Sequence, residues 1–378
     1  MPDILSDNQI KTIAFYLPQY HAIPENDAAW GKGFTEWTNV KRARPLFDGH
    51  NQPRIPLDGN YYNLLDETVL VNQSGLAQKY GVYGFCYYHY WFKNGRKLLE
   101  KPVERMLSNP EVTIPYCLCW ANESWTKRWN GRDGEIIVEQ DYGDKKDWGE
   151  HFQYLLNYFR DSRYITINGK PLVLIYKPDE IPCVSEMMDY WQVLANQNGI
   201  ESLCFVSQSS SSYYNAGFDS SMFDYQIKFE PFFSYNNGLR NLVKSTCRKL
   251  HLTKGYGTVQ NLMRAKTSKS QKQVVIDYDK VWNSILKKNS DGNLLEGAFV
   301  DWDNTPRTRS GYRTDGSTPQ KFESYFAKLC EKIRREKNMP VIFINAWNEW
   351  AEGAYLEPDV RWGYKYLEAL RNALNTHS

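Results

Sequence analysis

No stretch of this 378-residue chain approaches the apolar length needed to cross a bilayer. The N-terminus, Met1-Pro2-Asp3-Ile4-Leu5-Ser6-Asp7, has neither the basic nor the apolar region of a secretory leader, so a protein without an integral membrane segment is expected, cytoplasmic or, if a leader has been removed, periplasmic. Charge of one sign is scarce as well. With 46 Lys and Arg against 44 Asp and Glu, the net charge of +2 is too small for a general polyanion binder, and nucleic acid is not an expected partner. No glycine-rich phosphate loop follows the first strand-like run, which argues against a nucleotide-diphosphate fold. Without a His-Glu-x-x-His, a nucleophile elbow or a Cys/His dyad, metalloproteolysis and acyl transfer are poorly supported. Cys117 and Cys119 alternate on a strand, but no second pair completes a zinc site; buried thiols are expected, with neither a metal nor a cofactor. There is no internal repeat and no Pro/Ser-rich linker, so one domain over residues 1–378 is the simplest organisation.

What the chain has in quantity is aromatic surface: 15% of its residues, with 13 Trp and 27 Tyr. Such rings stack on the C–H faces of sugars while Tyr and Trp keep a polar edge. Extra aromatics also fill cores, but many of these stand in polar, loop-like surroundings, which favours a carbohydrate ligand.

Apolar runs rich in β-branched and aromatic residues recur with helix-like stretches between them. Strands are expected at Thr12–Leu17, Val82–Tyr87, Ile114–Trp120, Pro171–Tyr176, Ser202–Ser207, Asp224–Phe229, Gly297–Trp302 and Pro340–Trp347. Helices are expected at Thr68–Tyr80, Asp147–Arg160, Glu186–Gln197, Gln273–Lys287 and Pro319–Lys337, with Gly81 and Gly199 at C-caps. Eight alternating strands predict an α/β fold, a single (β/α)8 barrel of the TIM type. Two insertions interrupt it, near 26–63 after the first strand and 236–273 after the sixth. The second holds nine Lys and Arg between Arg240 and Lys272 and no acid. A solvated helical face is its plain reading; the sharper one is peripheral contact with a phosphate-bearing or lipid-linked glycan.

Active sites of such barrels gather where strands end. Most informative is the last strand, which runs into Asn345-Ala346-Trp347-Asn348-Glu349-Trp350-Ala351-Glu352-Gly353. On one continuous strand, residues three apart lie ~10 Å from each other on opposite faces. If the chain turns helically after Glu349, the two acids share a face with Cβ atoms roughly 5–6 Å apart. Carboxylates so close repel, and one of them tends to keep a proton, which separates an acid from a base. Glycosidic-bond cleavage needs that division. The plainer alternative is acids complementing a helix N-terminus.

Around this pair, several strand ends and the first insertion offer sugar-binding candidates. Tyr16, Gln19 and His21 follow the first strand, and His89 the second; His89 fits a hydroxyl partner, a general acid or a structural histidine. Trp120, Asn122 and Glu123 form a stacking and hydrogen-bonding set, with Glu123 also a third carboxylate. Trp30 and Trp37 are lid or subsite platforms, or packing for the loop. Asp301, Trp302, Asn348 and Trp350 complete the set. Asp301-Trp302-Asp303 supports a competing reading, since an Asp-x-Asp triplet can hold a divalent metal and a sugar nucleotide in a glycosyltransferase. A non-catalytic glycan-binding barrel is the third.

Several motifs occur in order: Phe15-Tyr16-Leu17-Pro18-Gln19-Tyr20-His21, Gly33-Phe34-Thr35-Glu36-Trp37, Phe85-Cys86-Tyr87-Tyr88-His89-Tyr90-Trp91, Cys119-Trp120-Ala121-Asn122-Glu123, Asp303-Asn304-Thr305-Pro306-Arg307 and Trp347-Asn348-Glu349-Trp350-Ala351-Glu352-Gly353. Over nearly the whole chain they resemble the bacterial glycoside hydrolase family 99-like proteins of O-antigen and capsule biosynthesis clusters, many of which carry a glycosyltransferase label. The similarity to the family 99 endo-α-mannosidases is looser and centres on the Asn-Glu-x-x-Glu-Gly element. That resemblance implies a (β/α)8 barrel and metal-independent, retaining, endo-type cleavage of an α-linked, manno-configured glycan. It implies that Glu349 acts as base towards the sugar's own 2-hydroxyl, through a 1,2-anhydro intermediate, and that Glu352 protonates the leaving oxygen. The segments 26–63 and 236–273 depart from the mannosidases, so mannose specificity does not carry over with the motif.

Overall fold

The computed structural model describes residues 1–127, 135–209, 218–235, 273–288, 292–308, 311–336 and 339–376. The basic segment 240–272, and with it the second insertion apart from Gln273, lies outside the described residues.

Eight parallel strands close on themselves. They are β1 (Lys11–Tyr16), β2 (Gly84–Phe92), β3 (Tyr116–Trp120), β4 (Lys170–Ile175), β5 (Cys204–Ser209), β6 (Tyr225–Lys228), β7 (Leu294–Phe299) and β8 (Val341–Asn345). Each pairs with the next, and β8 returns to β1 with Lys11 opposite Val341 and Ala14 opposite Ile344. The fold is a (β/α)8 barrel, and the eight strands are those the apolar runs foretold.

Among the described residues the helices are α1 (Pro24–Trp30), α2 (Glu36–Arg42), α3 (Glu67–Lys79), α4 (Lys101–Ser108), α5 (Lys145–Phe159), α6 (Val184–Gln197), α7 (Tyr278–Lys287), α8 (Pro319–Glu336) and α9 (Lys365–Asn375). Helices α3 and α6 end where Gly81 and Gly199 take φ of 89° and 79°. The amides of Gly81 and Val82 then reach back to the carbonyls of Gln78 and Ala77, closing orphan acceptors of the last turn. One helix is shorter than expected. Val274–Asp277 is a strand beside Tyr312–Asp315, and α7 begins only at Tyr278. The run Val274-Val275-Ile276 favours extended backbone, and the Asp277 carboxylate caps the helix through the amide of Lys280.

Strand β2 also differs from expectation, and the difference matters for the site. It continues to Phe92 and folds back on Arg96–Leu98. Its residues therefore keep alternating between the barrel interior and the surrounding helices. Phe15, Tyr88, Phe229 and Phe343 converge inside the barrel, with ring centroids 5.3–5.7 Å from that of Phe15. His89 and Trp91 point outward instead, onto His151 and Tyr154 of α5. The described cysteines are unpaired thiols; Cys86, Cys117, Cys119, Cys204 and Cys330 are buried and Cys183 is partly so. No helix among the described residues is long and apolar enough to cross a membrane.

Candidate active site

Beyond β8 the chain makes a tight hairpin. Asn348–Glu349 pairs antiparallel with Ala354–Tyr355, and Trp350–Glu352 between them is a single 3-10 turn. Glu349 and Glu352 therefore sit at the two ends of one turn, as a helical departure from the strand requires. Gly353 closes it with φ 66°, in the left-handed region that glycine adopts without strain. A Cβ there would also lie 3.0 Å from Arg54 Nη2 and from the Asp303 amide. Asn348 locks the hairpin to β1: its Oδ1 accepts from the Leu17 amide at 2.7 Å and its Nδ2 donates to the Leu17 carbonyl at 3.1 Å.

Both glutamates converge on one guanidinium. Arg307, in the loop after β7, donates from Nη1 to Glu352 and from Nη2 to Glu349 at 3.3 Å. Its Nε donates at 3.0 Å to Glu36, the first residue of α2, which is buried. Burial pushes the carboxyls of Glu349 and Glu352 above the usual carboxylate range. For Glu349 the repulsion of Glu352 adds to this against the attraction of Arg307, taking it up to about 8. A pair in that state holds a proton at neutral pH.

The pair opens onto a cleft of about 630 Å³ at the C-terminal face of the barrel. Its walls include Tyr88, Tyr90, Trp125, Tyr176, Phe229, Phe232 and Trp302. Several stand edge to face: Phe232 on Trp302 at 4.7 Å and 87°, Tyr90 on Trp125 at 5.3 Å and 80°. The aromatic walls and floor carboxylates suit a sugar ring.

Of the residues singled out from sequence, the cleft brings together Glu349, Glu352, Gln19, Glu123 and Trp302. Gln19 donates to the Tyr90 hydroxyl at 2.9 Å, and Glu123 is paired with Lys177. The others stand behind it. Tyr16 faces outward from β1 and donates to Gln73 of α3. His21 is buried, its pKa pushed down to about 4 by desolvation. His89 meets His151 with Nε2 atoms 2.8 Å apart, and burial takes its pKa down to about 3, so it is a neutral packing group. Trp120, also outward, donates to the Trp91 carbonyl at 3.1 Å. Asn122 bridges to the backbone of Lys177 through two 2.8 Å bonds. Trp30 stacks on Phe34, and Trp37 donates to the Tyr62 carbonyl at 2.8 Å. Trp350 is stacked on Tyr355, its Nε1 2.6 Å from Glu357.

The Asp-x-Asp pair is occupied by the first insertion. Asp301 holds Arg54 at 2.7 Å, and Asp303 accepts from Gln52 at 2.8 Å and meets His50 at 2.9 Å. Neither aspartate lines the cleft. Among the described residues, no group of three or more His, Cys, Asp and Glu is arranged to hold a metal ion. Sequence reasoning passed over Tyr88 and Tyr90 because β2 was cut short at Tyr87; a longer alternating strand sends them inward and His89 outward. It also passed over Arg307 and Glu36, although both lie in motifs quoted above.

Over residues 12–370 the chain matches the family model described as glycosyltransferase WbsX. The chain belongs to the WbsX family. It is 36% identical over 373 residues to protein WxcX of Xanthomonas campestris pv. campestris strain ATCC 33913, and 36% over 372 residues to its counterpart in strain B100. Those matches take in 96% of this chain but 49% of the relatives, so the chain spans about half the length of the curated relatives it matches. In structure this WbsX-family barrel is similar to the GH99 endo-alpha-mannosidase from Bacteroides thetaiotaomicron. The TM-score is 0.54 at 14% identity, over 98% of this chain and 97% of that one. A glycoside hydrolase-like protein gives 0.57 at 12% identity, over 97% and 94%. At such identities the likeness is one of fold, a glycoside-hydrolase-like barrel.

Proposed function

We propose that this WbsX-family chain is a retaining, metal-independent, endo-acting hydrolase of an α-linked glycan, a bacterial surface polysaccharide or its precursor. One observation carries the reading: two glutamates on a single turn at the end of β8 share a guanidinium at the floor of an aromatic-lined cleft. In the proposed reaction Glu349 takes the proton of the sugar's 2-hydroxyl, whose oxygen attacks the anomeric carbon. Glu352 gives its proton to the departing glycosidic oxygen as that C–O bond breaks. Water then attacks the anomeric carbon of the 1,2-anhydro sugar, losing its proton to Glu352. The C1–O2 bond opens and O2 recovers its proton from Glu349. Two displacements retain the configuration, and both side chains end as they began. Before reaction the proton of the pair must sit on Glu352, with Glu349 ionised to receive the 2-hydroxyl proton.

A digestion screen over capsular and O-antigen repeats tests this. Release of shorter oligosaccharides is expected, with a fall of about 10³-fold in Glu352→Gln, in line with loss of a general acid. Undiminished turnover in that variant would remove Glu352 from the mechanism.

The family description favours a second reading, transfer from a sugar nucleotide. Such a reaction would need a diphosphate site. Isothermal titration with nucleotide sugars and Mn²⁺ separates the two: tight, metal-dependent binding supports transfer, and none supports hydrolysis.

A further inference from the structure

The first insertion sends one acid beneath the cleft floor, and that acid has no place in the reaction above. Glu36 is 1% exposed and does not line the cleft. Its Oε1 accepts from Arg307 Nε at 3.0 Å and from Asn39 Nδ2 at 3.5 Å, while its Oε2 is buried with no hydrogen-bond partner among the described residues. An unsolvated carboxylate oxygen is costly, and its one strong compensation is the guanidinium.

Two consequences follow from this placement. A guanidinium held only by its two Nη atoms can swing about Nε; fixing Nε aims the fork and with it both glutamates. The second consequence concerns charge. Arg307 beside Glu349 and Glu352 alone would neutralise half of the pair and favour two ionised carboxylates. Three carboxylates around one cation leave an excess of negative charge, which a bound proton relieves. We propose that Glu36 is a positioning residue of the acid/base pair: from beneath, it fixes Arg307 across Glu349 and Glu352 and offsets its charge, so that the pair retains the proton an acid must give. This inference rests on the hydrolase reading for its chemistry but not for its electrostatics.

Other groups face the pair. Tyr20 comes from the loop after β1, Tyr88 and Tyr90 from β2, Tyr176 from beyond β4, and Glu123 with Lys177 from across the cleft. Burial raises all four phenols, which stay neutral between pH 5 and 9 and cannot mimic the titration in question.

Glu36→Gln tests the proposal by two routes. In the thermal unfolding of the full chain, the midpoint of the wild type should fall as pH rises and the pair loses its proton. In the variant that fall should occur about one pH unit or more lower. On any α-glycan the wild type cleaves, the alkaline limb of kcat/KM should move in the same direction, with kcat at pH 8 reduced about tenfold and KM little changed. Glu36→Asp should restore part of each shift. A folded Glu36→Gln protein whose two profiles match the wild type overturns the proposal. If that variant does not fold, Glu36→Asp and Arg307→Lys are measured in the same way, and unmoved profiles in both overturn it. Should the wild type cleave no glycan, the hydrolase reading fails while the unfolding profiles still decide the role of Glu36.

Discussion

Among the described residues, two clusters of buried ionisable side chains carry opposite surpluses of acid and base. Between the strands and the helices, Glu296 of β7 stands between Lys228 of β6 and Lys332 of α8, at 3.2 and 2.7 Å. At the cleft floor, Arg307 stands among Glu36, Glu349 and Glu352. In the first, one acid serves two cations; Lys332 also donates to the carbonyls of Ile285 and Lys288, so its charge is absorbed by fixed dipoles. In the second, one cation serves three acids, and one Glu36 oxygen has no hydrogen-bond partner among the described residues. A cluster satisfied on every side holds structure together. One carrying an excess of its own sign beside a cleft holds a proton in readiness, and pays in stability.

Removing Glu296 should show the structural cluster at its strongest. Glu296→Ala removes the carboxylate that lies between two buried ammonium groups, and a loss of about 3–5 kcal/mol is expected in urea unfolding. The cleft residues are untouched, so the folded fraction should keep its activity. A loss below about 1 kcal/mol would mean that the carbonyls alone satisfy Lys332, and the contrast between the clusters would dissolve.

The cleft cluster should respond in the other direction. Glu349 is raised from an ordinary 4.5 to about 8 by burial and the charge of Glu352. A carboxyl whose folded pKa is raised binds its proton more tightly in the folded state. Its stabilising contribution is full below about pH 4.5 and is lost as pH climbs through about 8. The midpoint of the wild type should therefore decline over that window, and Glu349→Gln should flatten the decline. At pH 8 the variant is expected to be more stable, on the order of 2 kcal/mol. An unchanged slope would return Glu349 to the rank of an ordinary acid.

How much of this could be read from the sequence depends on the range of the signal. Strand alternation and the glycine caps are local, and eight strands and two helix ends were legible from them. The turn between Glu349 and Glu352 is local too, and Gly353 marks it. Which side chains reach the cleft is a matter of parity along strands whose ends are not local. One shift in the end of β2 exchanges His89 for Tyr88 and Tyr90, and the same parity takes Tyr16 and Trp120 away. The junction of Glu36 with Arg307 spans 271 positions; no periodicity encodes it, and only the fold brings the two motifs into contact. Asp301 and Asp303 teach the same lesson, since nothing near them in sequence announces Arg54, His50 and Gln52.

A third buried acid lies between the two extremes and offers the finest test. Among the described residues Glu357 is paired with no cation; it accepts from Trp350 Nε1 at 2.6 Å, Gln73 Nε2 at 2.6 Å and the Tyr62 hydroxyl at 2.8 Å. Burial nonetheless raises it to about 7. Neutral donors favour the ionised form, so each one lost weakens that form more than the protonated one. Tyr62→Phe removes one donor, and also an acceptor for Asn348 Nδ2 at 3.3 Å. The expected loss is about 1–2 kcal/mol at pH 9, where Glu357 is ionised in the folded state, and a smaller one at pH 5, where it keeps its proton. Urea midpoints at the two pH values measure the difference. Equal losses would show that the hydroxyl serves the hairpin through Asn348 rather than the charge of Glu357, and that this acid belongs with the packing rather than between the clusters.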